Sequence, residues 1–106
     1  MPKSINYQDY LIESLQDPEE AAGYLNAALD GGHIEVFLLA LHNVVQAKGG
    51  VSKLAEKVHK SRTSLYKALS KKGNPYLKST NEILSAIGLH LAVVPRKAQA
   101  HASSKY

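Results

Sequence analysis

Apolar residues recur three and four apart through most of the chain, and glycine, proline or small polar residues interrupt them at short intervals. That pattern predicts a succession of short amphipathic helices. The first carries Tyr7, Tyr10, Leu11 and Leu15 at helical spacing. Asp17-Pro18-Glu19-Glu20 then supplies an N-cap, a proline suited to the first helical position and acids for the first turn. The helix opening there places Ala21, Tyr24, Leu25, Ala28 and Leu29 on one face and stops at Gly31-Gly32, where glycine can turn left-handed. A third helix follows from about His33, with Ile34, Phe37, Leu38, Leu41, Val44 and Val45 on a continuous stripe, and ends at Gly49-Gly50. It is the expected core helix.

Downstream the segments shorten. Val51 to Val58 predicts a brief helix with Leu54, Ala55 and Val58 inward; His59-Lys60 is a turn, and Ser61 caps a helix running to about Ser70. Gly73-Asn74-Pro75 breaks the chain, and Ser79-Thr80-Asn81-Glu82 is a capping-box pattern opening a helix through Ile83, Leu84 and Ile87 that stops at Gly88. Leu89 to Val94 alternates as a short strand ended by Pro95. The expected fold is all-α, a compact bundle of about five to six short helices with a short C-terminal strand. Residues 1–95 make one domain, with acidic helices over 1–50, a helix, turn and helix over 51–70 and a closing helix and strand over 79–95. Residues 96–106 are a disordered basic tail.

One helix breaks the amphipathic pattern. In SRTSLYKALS, residues 61–70, Leu65 and Leu69 are the only large aliphatics, too few for a broad packing stripe. The charge distribution gives this polarity a context. Residues 1–50 hold two cations against seven acids, a balance of −5, and residues 51–106 hold eleven cations against two acids, a balance of +9. Lys53, Lys57, Lys60, Arg62, Lys67, Lys71 and Lys72 cluster in about twenty residues with Glu56 as the only acid among them. Such a cluster is either a polyanion-binding surface or a solvated lysine-rich face.

The spacing favours the first alternative. In a helix-turn-helix the first helix braces across the DNA backbone and the second presents its N-terminal residues to base edges in the major groove. Numbered from Val51, the fourth and eighth places (Leu54, Val58) are apolar, the fifth (Ala55) is small and the fifteenth (Leu65) is apolar. Arg62, Thr63, Ser64 and Lys67 then face the groove for base readout, with Arg62 suited to bidentate recognition of guanine. Ser52, Lys53, Ser61, Lys71 and Lys72 hold phosphates. Tyr66 either reaches a phosphate through its hydroxyl or packs beneath its helix, and packing is the favoured expectation. Two places depart from the usual motif. Its ninth place, where the backbone turns left-handed, is His59 rather than glycine, at a cost of about 1 kcal/mol. Its tenth, usually apolar, is Lys60.

The runs DYLIESLQDPEEAAGYLNAALDGG, FLLALHNVVQAKGGVSKLAEKV, SRTSLYKALSKKGNP and ILSAIGLHLAVVP together resemble the DNA-binding addiction-module antidote family, HigA-like antitoxins with a helix-turn-helix of the phage-repressor type. The resemblance extends from Tyr7 to Pro95. It implies a dimeric operator-binding protein that represses its own operon and neutralises a basic, RelE-like toxin. The acidic residues Asp9, Glu13, Asp17 and Glu20 are then candidates for toxin docking, although acids near helix N-termini also favour the helix dipole. Leu89 to Val94 either pairs with its copy in a homodimer through the C-terminal region or folds back on its own domain. The alternative function is an orphan phage-type regulator with no toxin.

Enzymatic readings find no support in the residues. His33, His42, His59, His90 and His101 have no ligand spacing, and the chain has no cysteine, so no metal or cofactor is expected. No serine lies in a G-x-S-x-G context, and the glycine pairs read as helix stops. The absence of cysteine, of a signal-peptide core in MPKSINYQDY and of a long apolar span points to a cytoplasmic protein with no membrane partner.

Overall fold

A computed structural model describes residues 6–70 and 76–96. Six helices follow one another: α1 (Tyr7–Ser14), α2 (Pro18–Asp30), α3 (Ile34–Ala47), α4 (Gly50–Val58), α5 (Arg62–Leu69) and α6 (Leu77–Ala86). Lys71, Lys72, the Gly73-Asn74-Pro75 break and the tail from residue 97 lie outside the described residues.

The core is built around α3, against which α1, α2, α4 and α5 all pack, while α6 packs on α4. Phe37, Leu38, Leu41, Val44 and Val45 are buried along the expected stripe. Ala21, Leu25 and Ala28 of α2, Val51 and Leu54 of α4, Leu65 and Leu69 of α5, and Ile83 and Leu84 of α6 complete the cluster. Ile34 and Leu29, at the ends of their stripes, are half exposed.

The punctuation is largely as expected. Asp17 accepts the Glu19 amide at 2.9 Å and caps α2, with Pro18 at its first position. Gly49 and Gly50 have φ of 114° and 92°, so the chain reverses between α3 and α4 through a conformation that L side chains rarely adopt. A Cβ on Gly49 would also approach the Lys53 Cδ to 2.7 Å.

Three expectations are corrected. The inward side of α1 is Leu11, Ile12 and Gln8 rather than the tyrosines: Tyr7 and Tyr10 are 72% and 64% exposed. Gln8 Nε2 donates to Asn43 Oδ1 at 3.0 Å, and Asn43 Nδ2 donates to Tyr24 Oη at 2.9 Å, so a buried asparagine on α3 ties α1 to α2. No residue of α1 is fully buried, and these polar contacts add to the packing of its half-buried Leu11 and Ile12 on the core.

The expected capping box at Ser79 to Glu82 does not form. The N-cap of α6 is Tyr76, and the Thr80 amide already donates to the Tyr76 carbonyl at 3.0 Å. Thr80 turns inward and is buried, which draws the preceding turn into the helix. Glu82 is thereby freed from a capping role.

The strand expected over Leu89 to Val94 is absent: residues 89–96 carry no regular secondary structure. The Leu89 amide bonds to the Leu84 carbonyl at 2.8 Å and its side chain packs on the core. Beyond it the chain leaves the domain, and Val93 is 99% exposed. A strand needs a neighbour for its ladder, and the described part of the chain supplies none.

Candidate nucleic-acid interface

The turn between α4 and α5 is set by backbone chemistry. His59 has φ 58° and ψ 42°, the left-handed conformation expected at the ninth place, and the His59 and Lys60 amides both donate to the Ala55 carbonyl. That pairing closes α4 as an αL cap does. Ser61 is extended, and its Oγ accepts the Ser64 amide at 3.1 Å while lying 3.1 Å from Ser64 Oγ. Three residues thus separate the two helices, and the entry to the second is held by a serine cap.

Leu65 and Leu69 anchor α5 in the core, and Ala68 is half buried beside them. Arg62, Thr63, Ser64 and Lys67 are all exposed. On α4, Ser52 and Lys53 are exposed at its N-terminal end, and Arg62 Nη1 donates to Ser52 Oγ at 3.2 Å. This bond joins a candidate base reader to a candidate phosphate ligand across the two helices. Lys57 is engaged elsewhere, donating to the Ala86 carbonyl at 3.4 Å at the end of α6.

Lys60, in the normally apolar tenth place, pairs with Glu82 of α6: Nζ lies 3.5 Å from Oε1, with the two side chains 41% and 39% exposed. That oxygen is shielded from solvent and accepts no hydrogen bond, so the ammonium is its compensation. The pair borders a cleft of about 210 Å³ between α5 and α6, whose lining includes Val58, Leu65 and Ile83. An ionic tie therefore stands where an apolar contact is usual.

Tyr66 does not pack beneath α5. It is 55% exposed and is not among the partly buried residues that touch the core. At about 100° per residue it lies on the same outward arc as Arg62, Thr63 and Lys67. Its position four residues after Arg62 was the available signal for this placement.

The acidic candidates occupy α1 and the start of α2. Asp9, Glu13, Asp17 and Glu20 are exposed, and Asp17 is engaged as the α2 cap. No lysine or arginine occurs between residues 4 and 47. The next cation, Lys48, donates to the Gln16 carbonyl at 2.8 Å and staples α3 to the turn before α2. Among the described residues, α1 and α2 thus expose acids and no lysine or arginine, whereas α4 and α5 expose Lys53, Lys57, Arg62 and Lys67.

Among the described residues, no group of three or more histidines and carboxylates is arranged to hold a metal ion. No helix among them is long and apolar enough to cross a membrane.

Among the described residues, the six helices include a helix, a tight turn and a helix on which Arg62 and Lys67 are exposed. A family model described as "Probable addiction module antidote protein" matches residues 5–95, and the chain belongs to that family. It is also similar to a Haemophilus influenzae protein described as "Uncharacterized protein", at 37% identity over 83 residues, which span 78% of this chain and 84% of that one. No solved structure matches the chain.

Proposed function

We propose that this antidote-family chain is the DNA-binding antitoxin of a type II toxin–antitoxin module. It represses its own operon through α4 and α5, as a phage-repressor-type helix-turn-helix would, and neutralises a RelE-like toxin by direct binding. The observation that carries this reading is the outward face of α5. Leu65 and Leu69 hold the helix in the core, while Arg62, Thr63, Ser64 and Lys67 remain exposed behind a serine-capped N-terminus. Helix N-terminal residues of these types are those that reach base edges, and Ser52, Lys53 and Ser61 beside them are suited to phosphates.

The acidic residues Asp9, Glu13, Asp17 and Glu20 then form the docking surface for a basic toxin, on elements other than those that take DNA. A homodimer through the C-terminal region supplies the two-fold needed for two half-sites, because one short helix contacts too few bases for specificity. The exposed Val93 and Val94 favour that region as the contact.

The test is fluorescence anisotropy of the full chain against its own upstream DNA and a scrambled duplex at two salt concentrations. A preference of about a thousandfold or more for the upstream DNA supports operator binding. Equal, steeply salt-dependent binding to both would reduce the interaction to lysine charge and overturn the proposal.

A further inference from the structure

Tyr66 is 55% exposed on α5, and its hydroxyl has no hydrogen-bond partner among the described residues. Its place on the helix follows from the buried Leu65 beside it. At about 100° per residue, Thr63 and Lys67 stand about 160° from Leu65 and form the middle of the exposed arc, whereas Tyr66 and Ser64 stand about 100° from it on opposite flanks. Arg62, at about 60°, shares the flank of Tyr66.

The two flanks have different neighbours. Ser64 borders the cleft that α6 closes with Ser79, Glu82 and Ile83. On the other side Arg62 Nη1 donates to Ser52 Oγ at 3.2 Å, so the flank shared with Tyr66 is the one beside α4 and its exposed Ser52 and Lys53.

Position on the helix separates two kinds of DNA contact. Residues at the middle of an inserted helix point to the groove floor, where the base edges lie, while residues at its flanks are close to the rims, where the phosphates lie. The N-terminal end of the second helix enters the groove, so Arg62 reaches inward from the first turn and Tyr66, one turn back on the same flank, stays at the rim. Phosphate oxygens only accept hydrogen bonds, and a tyrosine hydroxyl is a donor held out from the helix on a ring with few torsions to order.

We infer that Tyr66 contacts DNA by donating its hydroxyl to a backbone phosphate on the α4 side of the groove, the side held by Ser52 and Lys53. The assignment rests on the operator-binding reading above and adds to it a contact that sets register without reading sequence.

The experiment measures the wild type, Tyr66→Phe and Tyr66→Ala by anisotropy on the chain's own upstream DNA and on a scrambled duplex across salt concentrations. Circular dichroism checks that both variants are folded. Loss of one hydrogen bond to a charged oxygen should weaken Tyr66→Phe about tenfold on both duplexes, and Tyr66→Ala should lose no more. The salt slope should stay unchanged, because the hydroxyl carries no charge. Single methylphosphonate linkages along the upstream DNA, each replacing an anionic oxygen with a methyl group, then locate the phosphate. At one linkage the wild type should lose about tenfold more than Tyr66→Phe, the coupling expected of groups in contact. A loss in Tyr66→Ala that Tyr66→Phe escapes would overturn the assignment, since the ring and not the hydroxyl would then act. So would a scan in which the wild type and Tyr66→Phe respond alike at every linkage, which with a loss confined to the upstream DNA would mean a base contact. Equal binding of the wild type to both duplexes would overturn the operator-binding reading instead, while Tyr66→Phe would still decide the phosphate contact.

Discussion

Replacing Lys60 with methionine should destabilise the fold by more than the ion pair itself contributes. The attraction between Lys60 and Glu82, at 3.5 Å with both side chains about two-fifths exposed, is worth about 0–1 kcal/mol. Its removal, however, leaves Glu82 Oε1 shielded from water with neither a hydrogen bond nor a counter-charge, which costs about 1–3 kcal/mol. Lys60→Met is therefore expected to lose about 1–2 kcal/mol. Replacing both residues with methionine removes the stranded oxygen and offers two apolar side chains to a cleft already lined by Val58, Leu65 and Ile83. The double variant should return to within about 1 kcal/mol of the wild type, because exchanging a partly buried pair for apolar groups is often neutral. Urea unfolding followed by circular dichroism across the four proteins gives the coupling, expected near 1 kcal/mol; by melting, the single change should lower Tm by about 4–8 °C per kcal/mol. Additivity of the two changes within about 0.3 kcal/mol would refute the reasoning, since the residues would then not act as a pair.

Further outcomes follow from the turn, the polar link and the acidic surface. His59→Gly should raise stability by about 0.5–1 kcal/mol in the same unfolding assay, because glycine takes the left-handed turn without a Cβ clash; a loss would mean that the histidine side chain contributes something the strain argument omits. Asn43→Ala should cost about 1–3 kcal/mol and selectively speed hydrogen exchange in α1, whose link to α2 passes through that amide; uniform exchange across all helices would contradict the link. Reversing Glu13 and Glu20 to lysine together should weaken toxin binding in calorimetric titration by about tenfold or more while leaving DNA affinity equal or higher. Unchanged toxin affinity would remove the acidic surface from the docking account.

The helices were legible because their local signals and their packing agree. Asp17-Pro18, Gly31-Gly32 and Gly49-Gly50 mark boundaries by backbone conformation, which neighbouring residues fix without help from the rest of the fold. The left-handed His59 was legible for the same reason, from its place in the turn. Where a residue answers to a distant partner, the local signal misleads. Glu82 completes a capping box in sequence, yet it faces Lys60 across the α5–α6 cleft, and the inward Thr80 moves the start of the helix back to Tyr76. Tyr7 and Tyr10 match a helical apolar spacing but lie outside, because Gln8 turns towards Asn43 instead. The periodicity of a short helix specifies a face but not which residues will occupy it when a buried polar partner competes. On α5 the two leucines defined the inward side, and the placement of Arg62, Thr63, Ser64 and Lys67 on the outward side follows from the helical repeat. The bond from Arg62 to Ser52 crosses two helices and was beyond any local pattern.

The most direct test of DNA reading by α5 compares Arg62→Ala with Lys53→Ala on the chain's own upstream DNA and on a scrambled duplex, across a range of salt concentrations. Arg62→Ala is expected to lose about 1–3 kcal/mol on the upstream DNA and little on the scrambled duplex, whereas Lys53→Ala weakens both alike and lowers the salt slope by about one. Equal losses on the two DNAs for both variants would contradict that reading.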